Sequence, residues 1–114
     1  MQEVIISVLT ADDPMDSKLR FTTGKRLMEI RQKSIDEISE GKTQMTEVET
    51  SEGVDLTELV VRGVDNAYGM QVYTAVIVRP TRAVTFAYYK YSPLMTNEVF
   101  KQRSKEMRSM LKVH

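Results

Sequence analysis

The sequence predicts an α+β domain in which a central antiparallel sheet of about five strands is flanked by two long helices, in the order β-α-β-β-β-β-α. Three observations carry that prediction. Apolar runs at residues 54–61, 70–78 and 83–91 are separated by tight-turn residues. Stretches with apolar residues at helical spacing stand before and after them. The last two runs are apolar on both faces, whereas a sheet wet on one side would alternate, so both faces call for a cover and two helices are available.

Each element has its own justification. Residues 3–9 form a short β-branched run, followed by Thr10-Ala11-Asp12-Asp13-Pro14, a loop of turn formers. Asp16 or Ser17 can cap a helix reaching to about residue 40, with Gly41 where a C′ glycine belongs. Leu19, Thr23, Leu27, Ile30, Ser34 and Ile38 recur at helical spacing, with Ile35 beside them, and predict the inward face. Arg26, Glu29, Lys33, Asp36, Glu37 and Glu40 predict the wet side. Gly24 costs about 1 kcal/mol in a helix interior, which moves the expected start toward Thr22 or Thr23.

Residues 43–50 read as a polar strand, with Met45 against Glu47 and Glu49 and with Val48 on the other side, suited to an exposed edge. Ser51-Glu52-Gly53 turns the chain into the 54–61 strand, and Asp65-Asn66 begins the loop before the next. Pro80-Thr81 closes the following hairpin, with Arg79 opposite Arg82. That register pairs Ile77 with Val84, Ala75 with Phe86 and Tyr73 with Tyr88 on one side. On the other it pairs Val78 with Ala83, Val76 with Thr85 and Val72 with Tyr89. The closing helix, from about Asn97 to Lys112, aligns Phe100, Ser104, Met107 and Leu111, with Met110 flanking and Thr96 as N-cap.

Composition bounds the function. The 114 residues form one domain, 1–114, large enough to bury a core. Lys and Arg total 16 and Asp and Glu total 16, so the net charge is zero and no basic footprint for nucleic acid is visible. Without Cys there is no disulfide, thiolate nucleophile or thiolate zinc site. No run approaches the ~20 apolar residues of a membrane-crossing helix. The opening Met1-Gln2-Glu3-Val4-Ile5-Ile6 lacks the regions of a signal peptide. That start predicts either a cytoplasmic protein or an extracytoplasmic, periplasmic one whose leader has been removed.

The element order resembles the PsbP-like fold family, which includes the photosystem oxygen-evolving subunit, DcrB-type bacterial lipoproteins and many bacterial proteins of unknown function. The resemblance lies in the helical stretch 27–38, the Glu47-Val48-Glu49 strand, and the 54–61 strand entering a hairpin. It continues through Val84-Thr85-Phe86-Ala87-Tyr88 and the last helix, 100–111, and covers roughly residues 4–112. It implies the fold and an envelope-associated setting, and it carries over no functional residues. Family members have an N-terminal hairpin before the first long helix. Only residues 3–9 stand in its place, which implies a truncated chain or a minimal version with an extra open sheet edge.

Candidate chemistry is sparse. His114 is the sole histidine and the last residue, where catalytic geometry cannot be held, so Ser-His-Asp and Cys-His mechanisms are excluded. Asp12, Asp13 and Asp16 lack calcium-loop spacing and read as loop solvation and helix-start charge. Glu47, Glu49, Glu52 and Glu58 read as edge-strand carboxylates rather than an acid–base pair. The eight methionines include Met28, Met107 and Met110, expected as gap fillers on or beside the helix stripes. Tyrosine, apolar in body and polar at its tip, suits pocket rims and interfaces. The candidate ligand-binding residues are therefore Tyr68, Tyr73, Tyr88 and Tyr91, against a reading in which Tyr73 and Tyr88 are core. No cofactor is expected. The expectation is a non-catalytic binding or accessory domain with another envelope protein as its partner; the alternative is a cytoplasmic small-ligand-binding protein or weak enzyme. A homodimer is further predicted, through the first strand, with Val4, Ile6 and Val8 on one face and Ile5, Ser7 and Leu9 on the other, or through the apolar hairpin.

Overall fold

A computed structural model describes residues 2–39, 43–65, 70–91 and 96–114. The elements are β1 (Gln2–Thr10), α1 (Ser17–Ser39), β2 (Thr43–Glu52), β3 (Thr57–Asp65), β4 (Met70–Val78), β5 (Arg82–Tyr91) and α2 (Asn97–Met110). The sheet runs β1-β5-β4-β3-β2, with every neighbouring pair antiparallel. Strands β2 to β5 form a meander. β1 joins beside β5, so α1 must carry the chain from one edge of the sheet to the other.

The two faces are covered by different helices. On one, Met28 packs with Leu59, Val61, Val76 and Val78, and Ile35 with Met70, Val72, Ala87 and Tyr89. On the other, Phe100 of α2 closes over Val60, Tyr73, Ala75, Ile77, Phe86 and Tyr88. All nine residues of β4 are buried, as double-faced apolar strands require. The β4–β5 register is the expected one, Tyr73 on Tyr88 through Val78 on Ala83. It is set by the Pro80-Thr81 turn, where the Arg79 N–H donates to the Arg82 carbonyl at 2.7 Å. Thr96 caps α2, its side chain accepting from the Val99 N–H.

Four sequence expectations need correction. α1 starts at Ser17, not at Thr22 or Thr23: of the two expected caps it is Asp16 whose carboxylate accepts from the Leu19 N–H at 2.8 Å, an N-cap contact. Gly24 stays inside the helix because α1 meets the sheet there. A Cβ at this position would lie 2.7 Å from Leu59 Cδ1 and 3.3 Å from Val78 Cγ2.

The inward stripe of α1 is rotated from the expected one. Arg20, Gly24, Met28 and Ile35 are buried, while Leu19 and Ile30 are exposed. Apolar periodicity misses a stripe whose members include a glycine and an arginine. The Arg20 guanidinium is satisfied internally, donating to Thr57 Oγ1 and to the carbonyls of Met15, Gly53 and Val54. It thereby ties the β2–β3 turn to the start of α1.

The third correction is that β2 runs on to Glu52 and β3 spans Thr57–Asp65 rather than 54–61, so that Asp65, expected in the loop, pairs with Met70. Val54 is fully exposed in the turn, which the Gly53 N–H closes on the Leu56 carbonyl at 2.7 Å. Finally, α2 stops at Met110, which faces solvent instead of filling the core, and Leu111 caps it through the Arg108 carbonyl. Gly41 and Asn66 lie outside the described residues.

Candidate functional site

Two of the four candidate tyrosines come together, on the α2 face. Tyr88 stacks on Phe100 with ring centroids 5.2 Å apart, and Tyr73 meets Phe86 edge-on at 6.1 Å. Both are buried, closed off from solvent as part of the aromatic core under α2. Tyr68 and the side chain of Tyr91 lie outside the described residues. Tyr89 faces α1, where Arg31 donates to its hydroxyl at 3.1 Å.

Around Tyr73 lies a row of charges. Arg108 of α2 grips Glu58 of β3 through two bonds of 2.7 and 2.9 Å, a bidentate pair. Arg62, on the same face of β3, donates to Glu49 of β2 at 2.9 Å. Burial first, and then the Glu58 carboxylate, push the Tyr73 phenol up to about 12, against the weaker opposing pull of Arg108 and Arg62. At neutral pH it is a neutral phenol and no base. Glu49 and Glu58 hold arginines. Among the described residues, no three His, Cys, Asp or Glu side chains converge to hold a metal ion.

A cleft of about 290 Å³ opens beside this row, floored by Leu56, Ile77 and Val113 and flanked by Arg79 and Arg108. Its arginines are engaged. Arg79 donates to Asp55 at 2.8 Å and to the Val113 carbonyl at 3.0 Å, while Arg108, besides gripping Glu58, donates to the Leu111 carbonyl at 3.1 Å. These bonds fasten the segment after α2 to the sheet.

β1 leaves apolar side chains open to solvent. Its backbone orientation follows from two hydrogen bonds. The Ala11 N–H donates to the Thr81 carbonyl at 2.9 Å, continuing the register in which Thr10 faces Arg82. In an antiparallel ladder, hydrogen-bonded pairs alternate, so Glu3, Ile5, Ser7 and Leu9 turn their N–H and C=O groups toward β5. Val4, Ile6 and Val8 turn theirs outward. The Arg79–Arg82 bond gives the same answer from the other side, assigning the even residues of β5 to β4 and the odd ones to β1.

The side chains of Val4, Ile6 and Val8 lie on the α2 face, opposite Tyr88, Phe86 and Val84. α2 packs on β4 and reaches β3 through Arg108, and these three side chains are left 44, 53 and 60% exposed. Outward-facing backbone and exposed apolar side chains thus coincide on these three residues, while Leu9, also 50% exposed, turns its backbone toward β5. The sequence marks this strand as apolar on both faces. It cannot mark the hydrogen-bonding parity, which depends on how the chain closes through Ala11 and Thr81. No family model matches the chain, and neither a curated protein nor a solved structure does.

Proposed function

We propose that the chain is a non-catalytic binding or accessory domain that docks a protein partner along β1. The carrying observation is the coincidence on Val4, Ile6 and Val8 of exposed apolar side chains with backbone groups directed away from the sheet. An edge of that kind recruits an added strand, with main-chain bonds supplying affinity and alternate side chains supplying specificity. The engaged ion pairs and neutral Tyr73 on the α2 face support a structural role for that charged row. The resemblance to PsbP-like proteins supports a bacterial, envelope-associated setting.

A photoreactive residue placed at Ile6 tests the docking edge. It should form one discrete protein adduct, and the same residue at Lys33, on the wet face of α1, should form none. Adducts at Lys33 and none at Ile6 would overturn the proposal. A second reading, a small-ligand domain, draws on the cleft beside Arg79 and Arg108. Titration with small organic anions, followed by the amide signals of Leu111 and Val113, checks it: saturable shifts there support it, and unmoved signals refute it.

A further inference from the structure

We infer that the partner seated on β1 is a second copy of this chain, paired antiparallel about a two-fold axis through Ile6. The inference rests on the reading of β1 as a docking edge and adds the identity and register of the occupant. The outward-facing residues of β1 are all even-numbered, so hydrogen-bonded pairs across a new ladder must join even to even. Among such registers, the one centred on Ile6 overlaps the whole strand, Gln2–Thr10, on itself. It places Ile6 against the second copy's Ile6, Val4 against its Val8, and Gln2 against its Thr10. The pattern Val4-x-Ile6-x-Val8 reads alike in both directions, so a single patch is its own complement, as a closed two-fold contact requires.

Charge permits this arrangement. Glu3 is the only charged residue of β1, and in this register it faces the second copy's Leu9, so no like charges meet across the ladder. The chain as a whole is neutral, so copies do not repel at long range. The paired sheets form one continuous ten-strand sheet. On its α2 face, Val4, Ile6 and Val8 pack side by side with their counterparts, which removes from water the apolar surface that each copy leaves open. The other edge is unsuited to the same contact, because β2 carries Glu47, Glu49 and Glu52 and a register shift between Met45 and Glu47.

Light scattering at tens of micromolar, combined with amide hydrogen exchange, tests this. The unmodified protein should show twice the chain mass of 13.1 kDa, with slow exchange at Val4, Ile6 and Val8. Ile6→Lys, or Val8→Lys should the first fail to fold, should return the mass to one chain with unchanged circular dichroism and fast exchange at those amides. A monomeric mass with fast exchange overturns the second copy and leaves the edge open to another partner. A monomeric mass with slow exchange shows the edge covered by its own chain and overturns the docking edge as well. A dimer that persists in both lysine variants places the contact elsewhere and refutes the inference.

Discussion

β2 carries Glu47, Glu49 and Glu52 and a register shift near its start, whereas β1, at the opposite edge of the same sheet, carries Glu3 alone and runs in unbroken register with β5. Both strands lie outermost in the sheet. The difference lies in what their side chains do for the fold. Glu49 holds Arg62, whose side chain is buried in β3, so charge on the β2 edge is part of the packing of its neighbour. The side chains of Val4, Ile6 and Val8 are exposed and add little to the core. An apolar residue that contributes little where it stands points to a use in a complex.

The largest expected effect bears on the support beneath the open edge. Phe86, the β5 partner of Ile6, is buried between Tyr73 and the other core residues under α2. Phe86→Ala should cost about 3–5 kcal/mol in chemical denaturation. A loss under about 1 kcal/mol would show that β5 is not central, and the contrast between a buried centre and an exposed β1 would fail.

Next comes an effect confined to the β2–β3 side. The Tyr73 phenol titrates near 12 in the folded protein and near 10 when unfolded. The unfolded chain therefore releases this proton first as the pH rises, and binds fewer protons than the native state between those values. Stability from this group is fully present below pH 10 and is lost as pH rises toward 12. The slope should be at most about 1.4 kcal/mol per pH unit, and the total about 2.7 kcal/mol. Tyr73→Phe should remove that part of the alkaline loss. Parallel curves for the two proteins between pH 9 and 12 would rule out the shift.

Arg20 anchors the same side by other means. Arg20→Met keeps an apolar stem but removes the guanidinium, leaving the buried Thr57 hydroxyl and Met15 carbonyl short of a donor. The expected cost is about 2 kcal/mol, since unsatisfied buried acceptors cost roughly 1–3. Faster exchange confined to the β2–β3 turn should accompany it. An unchanged denaturation midpoint would show that water replaces the guanidinium.

These regions also differ in how far the sequence discloses them. The β4–β5 hairpin is legible to the residue, because a two-residue turn leaves one register that keeps both apolar faces in contact. The inward face of α1 is legible only in part: Gly24 and Arg20 sit on it, and neither is apolar by type. Gly24 belongs there through closeness of approach and Arg20 through four bonds, three of them to the distant Gly53, Val54 and Thr57. Val54 shows the opposite failure, an apolar residue that reads as strand and stands in a turn. Of the candidate tyrosines, the pairing of Tyr73 with Tyr88 is legible, but their closure beneath Phe100 depends on where α2 lies. The exposure of Val4, Ile6 and Val8 depends likewise on how much of that face α2 covers.

The smallest expected effect sharpens the comparison within β1 itself. Ile5 and Ile6 are adjacent and chemically identical but face opposite sides. Ile5 is half-buried against the cluster of Ile35, Val72, Ala87 and Tyr89 under α1. Ile6 stands 53% exposed on the side where α2 falls short. Any partner on β1 would stabilise the folded state by mass action, so the pair must be compared at a concentration low enough for the monomer to prevail. There, Ile5→Ala should cost about 1–2 kcal/mol, below the full penalty for a buried isoleucine because the site is only half closed. Ile6→Ala should stay within about 0.5 kcal/mol, the usual range for a surface change. On raising the concentration the order should narrow or reverse, because in the proposed two-fold register Ile6 would meet the second copy's Ile6, whereas Ile5 would meet only its Ser7. Equal costs at every concentration would mean that β1 presents both faces to its own chain, and the distinction between the two edges would dissolve.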